Sequence, residues 1–432
     1  MATKVLILNV HSSRNAGDAA LAFMTLELLK EHFFPLQAIL SMDDPGSHQG
    51  EGVATGSLTT WLKSVSPEGK PRWNKSKLLW LLPATILPLL TYRLFGRPVN
   101  TLTPKALHGL IGAYIEADLV VSEAGGFLYH SGSGLTLLIA FYSLALAFVT
   151  GKPLYIFPQS IGPFKRKWEC RLAKWVFTRA RIVMARERIS LKQIESCGVL
   201  SDKSVLIPDL AFSFPSAPAN AAESWLSGQG IDLAKDRPLL GLTVINWGAQ
   251  NTEFNLQSKY EAAIISSVKF FIETYGGKAL FVPQVWGPLP VQDDRVPAQR
   301  IQASLMEYAS HIHVIEEPLA PDLLKAVYGR MDMFIGSRMH SNIFALSEGV
   351  PVIAIAYQYK TEGIAQMLGL GEWVININQI DSPSLINLLS ALCEKKDAIR
   401  KQLLANIPSI ISQTRLAGQL VASDFMSLKQ DR

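Results

Sequence analysis

The stretch "MDMFIGSRMHSNIFALSEGVPVIAIAYQYK", residues 331–360, decides the fold. An apolar run at 331–337 reads as a strand, a helical pattern follows at 341–348, and a second apolar run at 351–357 reads as another strand. Two buried strands joined through a helix lie parallel in one sheet, so both end at the same edge. The first delivers Ser337, Arg338 and His340 to that edge, and the second delivers Lys360. Ser341 opens the intervening helix, whose free N–H groups point back toward whatever those side chains hold. Two cations, a helix N-terminus and a titratable imidazole suit a doubly anionic ligand with a proton to move. The bland alternative is a set of independent loop residues.

The same alternation runs through most of the chain. Strand-like runs occur at 4–10, 118–126, 153–160, 181–187 and 204–212, and again at 238–247, 278–285 and 311–317. Residues 215–236 are rich in Ala, Ser, Pro and Gly and mark a boundary. The expectation is an α/β protein with two Rossmann-like domains facing a cleft and mostly parallel sheets. Residues 1–215 form the first domain, with an apolar and basic insertion near 60–100. Residues 216–432 form the second, with C-terminal helices from about 383.

Composition narrows the function. The chain of 432 residues is 48% hydrophobic and 18% charged, which favours a large core and excludes wholesale disorder. A net charge of +5 is small for this length and argues against a nucleic-acid partner. Cys170, Cys197 and Cys393 show no metal-ligand spacing and imply no disulfide framework, which suggests a reducing, cytoplasmic compartment. The start, "MATKVLILNV", lacks the order of a signal peptide. Two apolar runs, 78–90 and 135–149, fall short of the ~20 residues of a membrane span. The second reads as a buried crossover helix. The first is flanked by Arg72, Lys75, Lys77, Arg93 and Arg97, and suits either an apolar hairpin packed on its own domain or a segment lying on a membrane surface. Segment 164–181 places Trp168, Leu172, Trp175 and Val176 on one helical stripe among basic residues. It is a crossover helix or a second peripheral membrane contact.

Ligands of open α/β sheets bind beyond the carboxyl ends of strands. After the first strand come Asn15, Gly17 and Asp18, a tight turn into a helix. "SEAGGFLYHSGSG" (122–134) follows the strand at 118–126 as a glycine-rich loop, offering Glu123, Gly125, Gly126 and His130. "PQSIGPF" (158–164) follows the next strand with Gln159 and Ser160. Arg186 ends a strand of apolar residues and needs an anionic partner, either a ligand or a salt bridge to Glu187 or Asp209. Asn246, Trp247, Gln284 and Trp286 fall at strand ends of the second half.

In order along the chain, "NAGDAAL" (15–21), "SEAGG" (122–126), "PQSIGPF" (158–164), "ARERISL" (185–191), "PDLAFSF" (208–214), "SRMHSNIFAL" (337–346) and "GVPVIAIAYQYK" (349–360) resemble the polysaccharide pyruvyl transferase family. The resemblance implies a GT-B-like fold, with phosphoenolpyruvate as donor and a sugar of a polysaccharide or lipid-linked glycan precursor as acceptor. The product implied is a pyruvate ketal, with phosphate released. The family's arginine falls on Arg186, its histidine on His340, the arginine two places before it on Arg338, and its lysine on Lys360. Those cations balance a carboxylate and a phosphate, and His340 is the candidate general acid. Asp18, Glu123 and His130 are candidate bases. Phosphoenolpyruvate is a co-substrate, and the scheme calls for neither a cofactor nor a metal. The expected location is cytoplasmic, or the inner face of the membrane. Rival readings are a nucleotide-sugar-dependent GT-B glycosyltransferase and a non-catalytic glycan-binding relative.

Overall fold

The computed structural model describes residues 2–65, 71–247, 255–287, 290–357 and 359–430. The chain forms two compact units. One comprises Met1–Ser13, Leu21–Leu210 and Ser412–Arg432, and the other Arg14–Ala20 and Ala211–Ile411. The sequence reading divides the chain once, at 215/216. The structure adds two exchanges, because two helices bridge the units. One is α1 (Ala16–Lys30), and the other is the long helix Ser382–Gln430.

In the first unit the strands are β1 (Thr3–Val10), β2 (Leu36–Met42), β3 (Val53–Gly56), a short antiparallel ribbon β4 (Lys63–Val65) and β5 (Pro71–Trp73), then β6 (Leu119–Ser122), β7 (Gly125–Leu128), β8 (Leu154–Ile161), β9 (Ile182–Ala185) and β10 (Ser204–Leu206). The main sheet runs β10-β9-β8-β6-β1-β2-β3, with β7 also paired to β8, and every pairing is parallel. Its strands are continuous apolar runs because helices cover both faces; β8 is buried throughout. The helices are α1, α2 (Leu58–Leu62), α3 (Lys75–Phe95), α4 (Lys105–Glu116), α5 (Leu135–Thr150), α6 (Lys167–Phe177) and α7 (Arg188–Ser196).

Three expectations change here. The run at 78–90 is no hairpin: it lies within α3, a helix of 21 residues that contains Pro83 and Pro88. A proline removes one helical N–H and frees the carbonyl four residues back. For Pro88 that carbonyl is Ala84 O, and Thr103 Oγ1 donates to it at 3.0 Å. Asn74 caps the start by accepting from Lys77 N, and Gly96 in the left-handed region ends the helix. Second, the glycine-rich segment is not all loop, since Gly125–Leu128 is strand β7. Third, Cys170 and Cys197 are joined as a disulfide, Cα–Cα 5.4 Å. Spacing could not reveal the pair, because α6 and the end of α7 come together only in the fold.

The second unit holds β11 (Leu239–Thr243), β12 (Lys278–Phe281), β13 (Ile312–Val314), β14 (Met333–Gly336), β15 (Val352–Ala356) and β16 (Val374–Asn376). The order is β13-β12-β11-β14-β15-β16, all parallel. Counted within the unit this is 3-2-1-4-5-6, the Rossmann order. The progression of strand order reverses between β11 and β14, and open α/β sheets take ligands in the crevice past the carboxyl ends at such a point. The first sheet reverses likewise between β1 and β6.

Candidate active site

In the second unit, a buried hydroxyl network fixes the turn that leaves β14. Ser337 N donates to Thr243 O and Oγ1 at 3.1 and 3.2 Å, and Ser337 Oγ lies 2.7 Å from Tyr260 OH. Ser341 Oγ donates to Arg338 O at 2.7 Å and lies 2.7 Å from Thr243 Oγ1. Both predicted ligand serines are therefore buried and bound to the scaffold, where they set the start of the helix Met339–Ser347.

Arg338 is the N-cap residue of that helix. Its Nε lies 3.2 Å from both Asp294 carboxylate oxygens, and its Nη2 lies 2.6 Å from Oδ1. Asp294 is buried and also accepts Gln284 N and Val285 N at 3.3 and 3.1 Å. Burial works against the Arg338 charge, but Asp294, with smaller help from Tyr357 and Asp18, outweighs it and lifts the guanidinium above its ordinary value. Arg338 thus stays charged, with one carboxylate already against it.

His340 lies in the first turn of the same helix, against the start of α1. A Cβ on Gly17 would collide with the imidazole, so glycine is there to admit the ring. Asn15 holds this approach. It accepts Gly17 N through Oδ1 at 3.0 Å and donates through Nδ2 to Asp18 at 3.0 Å. Segment 14–16 is laced to the loop after β12 by Ala16 N to Gln284 O, 3.2 Å, and Trp286 N to Arg14 O, 3.2 Å. Lys360 opens the helix Tyr359–Met367 after β15, with Nζ 5.8 Å from the Tyr357 ring. The Tyr357 ring in turn meets Trp247 edge-on at 4.7 Å. One unit therefore carries Asn15, Gly17, Asp18, Ser337, Arg338, His340 and Ser341, with Lys360 after the neighbouring strand.

The first unit has its own polar cluster at the ends of β8 and β9. Arg186 is 1% exposed. It donates to Ser160 Oγ at 2.7 Å and to Asp209 at 2.6 Å, and its Nε lies 3.5 Å from Glu187. The salt bridges weighed from the sequence are both present. Burial raises the Glu187 carboxyl, against the pull of Arg186, Ser190 and Ser160. A Cβ on Gly126 would meet the Arg186 guanidinium at 2.7 Å, so this glycine makes room for arginine. Gln159 and Ser160 prove to be strand residues: β8 runs on through them past an irregularity at Pro158, and Gly125 pairs with Gln159. Gln159 donates to Ser122 Oγ and to the carbonyl of Glu123, a buried residue. Asn9 at the end of β1 sits at φ 63, an unusual conformation that asparagine tolerates, and its amide reaches Ser122 Oγ at 3.4 Å. His130 is bound 2.6 Å from Glu169 Oε1. Burial opposes the Glu169 charge, yet His130 and the N–H groups of Arg166 and Lys165 hold that carboxyl below its ordinary value. Glu169 thereby caps α6.

Residues 15–359 match the family model described as Polysaccharide pyruvyl transferase. The chain belongs to the polysaccharide pyruvyl transferase family. Among curated relatives of this pyruvyl transferase family member is the amylovoran biosynthesis protein AmsJ of Erwinia amylovora, 24% identical over 330 residues, or 76% of this chain and 77% of AmsJ. Solved structures of similar fold include a UDP-GlcNAc 2-epimerase from Neisseria meningitidis bound to UDP-GlcNAc, with TM-score 0.56, 12% identity and 98% and 100% of the two chains covered. Anabaena Alr3699/HepE in complex with UDP-glucose is another, with TM-score 0.57, 12% identity and 97% and 99% covered. At such identities the likeness concerns the fold alone, which is GT-B-like.

Sequence reasoning missed Asp294, the partner of Arg338. Its only sequence signal is the acidic pair in "QDDR" (292–295). It also missed Asn9, Thr243 and Tyr260, which carry no motif. Part of the segment 248–256, which follows the strand-end residues Asn246 and Trp247, lies outside the described residues.

Proposed function

We propose that this family member transfers the three-carbon unit of phosphoenolpyruvate to two hydroxyls of a sugar in a polysaccharide or lipid-linked precursor. The observation that carries this reading is His340 seated on Gly17 in a helix first turn, beside Arg338 and near the strand end that supplies Lys360. The N–H groups opening the helix Met339–Ser347 and Lys360 take the phosphate and carboxylate, while Arg338 adds a charge whose direction Asp294 fixes. His340 gives a proton to the methylene carbon, which becomes a methyl group and leaves C2 electrophilic. One sugar hydroxyl adds at C2; the second then displaces phosphate and closes the ketal. The two hydroxyl protons end on the methyl group and the phosphate, so no net proton is consumed. Asp18, partly exposed and held by Asn15, is better placed to accept a hydroxyl proton than the buried Glu123.

The test is donor choice followed by turnover. Phosphoenolpyruvate should raise the melting temperature of the purified protein and UDP-sugars should not, since only a ligand of the folded state stabilises it. With an acceptor glycan, phosphate should be released and the product should gain a ketal-linked pyruvyl group by mass. His340→Ala should lose about 10²–10⁴ in turnover while the phosphoenolpyruvate shift remains. Stabilisation by a UDP-sugar instead would make the protein a glycosyltransferase. Binding of glycan with no turnover on any acceptor would make it a non-catalytic relative.

A further inference from the structure

Helix α3 has two apolar faces, and the fold uses only one. At about 100° per residue, Leu81, Ala84, Thr85, Pro88 and Leu89 fall on one side, and all are buried. That side is fastened to the unit. Thr85 Oγ1 lies 2.6 Å from Tyr142 OH of α5, and Arg93 Nη1 donates to Phe148 O and Val149 O at 2.9 and 3.2 Å. The opposite side carries Leu79, Leu90 and Leu94, with Leu82 on the flank between the two sides; Leu79 is 83%, Leu82 59% and Leu94 64% exposed. This stripe is roughly 22 Å long. Trp80 near one end and Phe95 at the other are exposed as well. A soluble helix ordinarily turns a polar face outward, and a helix apolar all round is one with something on both sides.

Charge says what lies on the second side. No Asp or Glu occurs anywhere in residues 69–115. Arg72, Lys75 and Arg97 are exposed and flank the two ends of the helix in sequence. Exposed leucines toward both ends of the outward side, with Pro83, Ile86 and Leu87 half-buried between them, aromatic residues near the ends and cations beyond, in a segment free of acidic groups, match an anionic lipid surface: acyl chains take the leucines and headgroups take the cations. Helix α3 is long and apolar enough to cross a membrane, but its buried face belongs to the core, so it can only lie along the surface. A neighbouring helix adds to this. α6 packs on α5, as α3 does, and exposes Trp168, Trp175, Lys167, Arg171 and Lys174.

We infer that the outward stripe of α3 is a peripheral docking surface for an anionic phospholipid bilayer. The inference goes beyond the proposed reaction and does not rest on it. The full-length protein is mixed with vesicles of phosphatidylcholine alone, or of phosphatidylcholine with phosphatidylglycerol, and floated on a density gradient at low and high salt. The protein should float with the anionic vesicles at low salt and lose much of that binding at high salt. Leu82→Glu with Leu90→Glu should cut bound protein by about tenfold or more. Leu79→Ser with Leu94→Ser, a milder change at exposed positions, should weaken binding in the same direction with an unchanged circular-dichroism melt. The inference is overturned if the wild type does not float with anionic vesicles. It is equally overturned if both double variants float as well as the wild type. A third overturning result is a wild-type dimer by light scattering that the variants dissociate, without vesicle binding, since the stripe would then be covered by a second copy.

Discussion

Gly17 and Gly126 have the same use at residue scale: each leaves out a side chain so that a functional-looking group can lie against backbone. In the sequence both resemble flexible turn residues. In the structure Gly17 admits the His340 ring and Gly126 admits the Arg186 guanidinium. Neither has the positive φ that would demand glycine for backbone reasons alone. Gly17→Ala therefore tests this close approach. Alanine is the better helix former by about 1 kcal/mol, so α1 itself should not suffer. The added methyl group must push the imidazole aside, and misplacing a catalytic group by an ångström can lower rate severely. Because the His340 Cβ would lie as close as the ring, backbone must shift too, so Gly17→Ala should lose about tenfold or more in phosphate-release turnover together with a lower melting temperature. Equal turnover would show that the ring is not positioned by this contact.

Element by element, the crossover pattern was readable and its exceptions were not. Continuous apolar strands separated by helical periods gave both parallel sheets, because a strand covered on two faces needs apolar residues at every position. The strand–helix–strand at 331–360 was read nearly to its ends, and with it the placement of Arg338, His340 and Lys360. What stayed hidden depends on tertiary partners. The run at 78–90 carries Pro83 and Pro88, which helices disfavour, and the Thr103 hydroxyl, from beyond the helix end, answers the carbonyl that Pro88 frees. That bond is testable. Thr103→Val keeps the shape and removes the donor, leaving Ala84 O short of a partner in a buried place. The loss should be about 1–2 kcal/mol in urea unfolding, and Thr103→Ser should recover most of it. If valine matched threonine, the freed carbonyl would have found another donor.

At the scale of the whole chain, sequence order says which segments alternate but not which distant segments share a unit. Residues 14–20 belong with the second unit although they follow the first strand of the first, and the last residues return to the first unit. Contacts such as Ala16 N to Gln284 O carry no local signature. The same holds for Lys325, which pattern reading passes over as an ordinary helix residue. It is buried in the second unit, with Nζ 2.6 Å from Phe214 O, 3.4 Å from Phe212 O, and 4.0 Å from Glu348. Burial pushes its ammonium down to about 8, and Glu348 only partly opposes this. In the unfolded chain a lysine holds its proton to about 10.4. Between those values the unfolded state binds more protons than the folded one, so this group makes stability rise as pH increases from about 8 toward 10.4. Below that window both states are protonated and the burial penalty is fully present. Buried tyrosines such as Tyr260, raised by burial, act oppositely near and above pH 10, so the wild type alone would blur the effect. The informative quantity is the difference between wild type and Lys325→Met in urea unfolding at a series of pH values. The difference should move in favour of the wild type by on the order of 2 kcal/mol as pH climbs through the window. A difference flat in pH would mean that the ammonium keeps its ordinary affinity for the proton despite its surroundings.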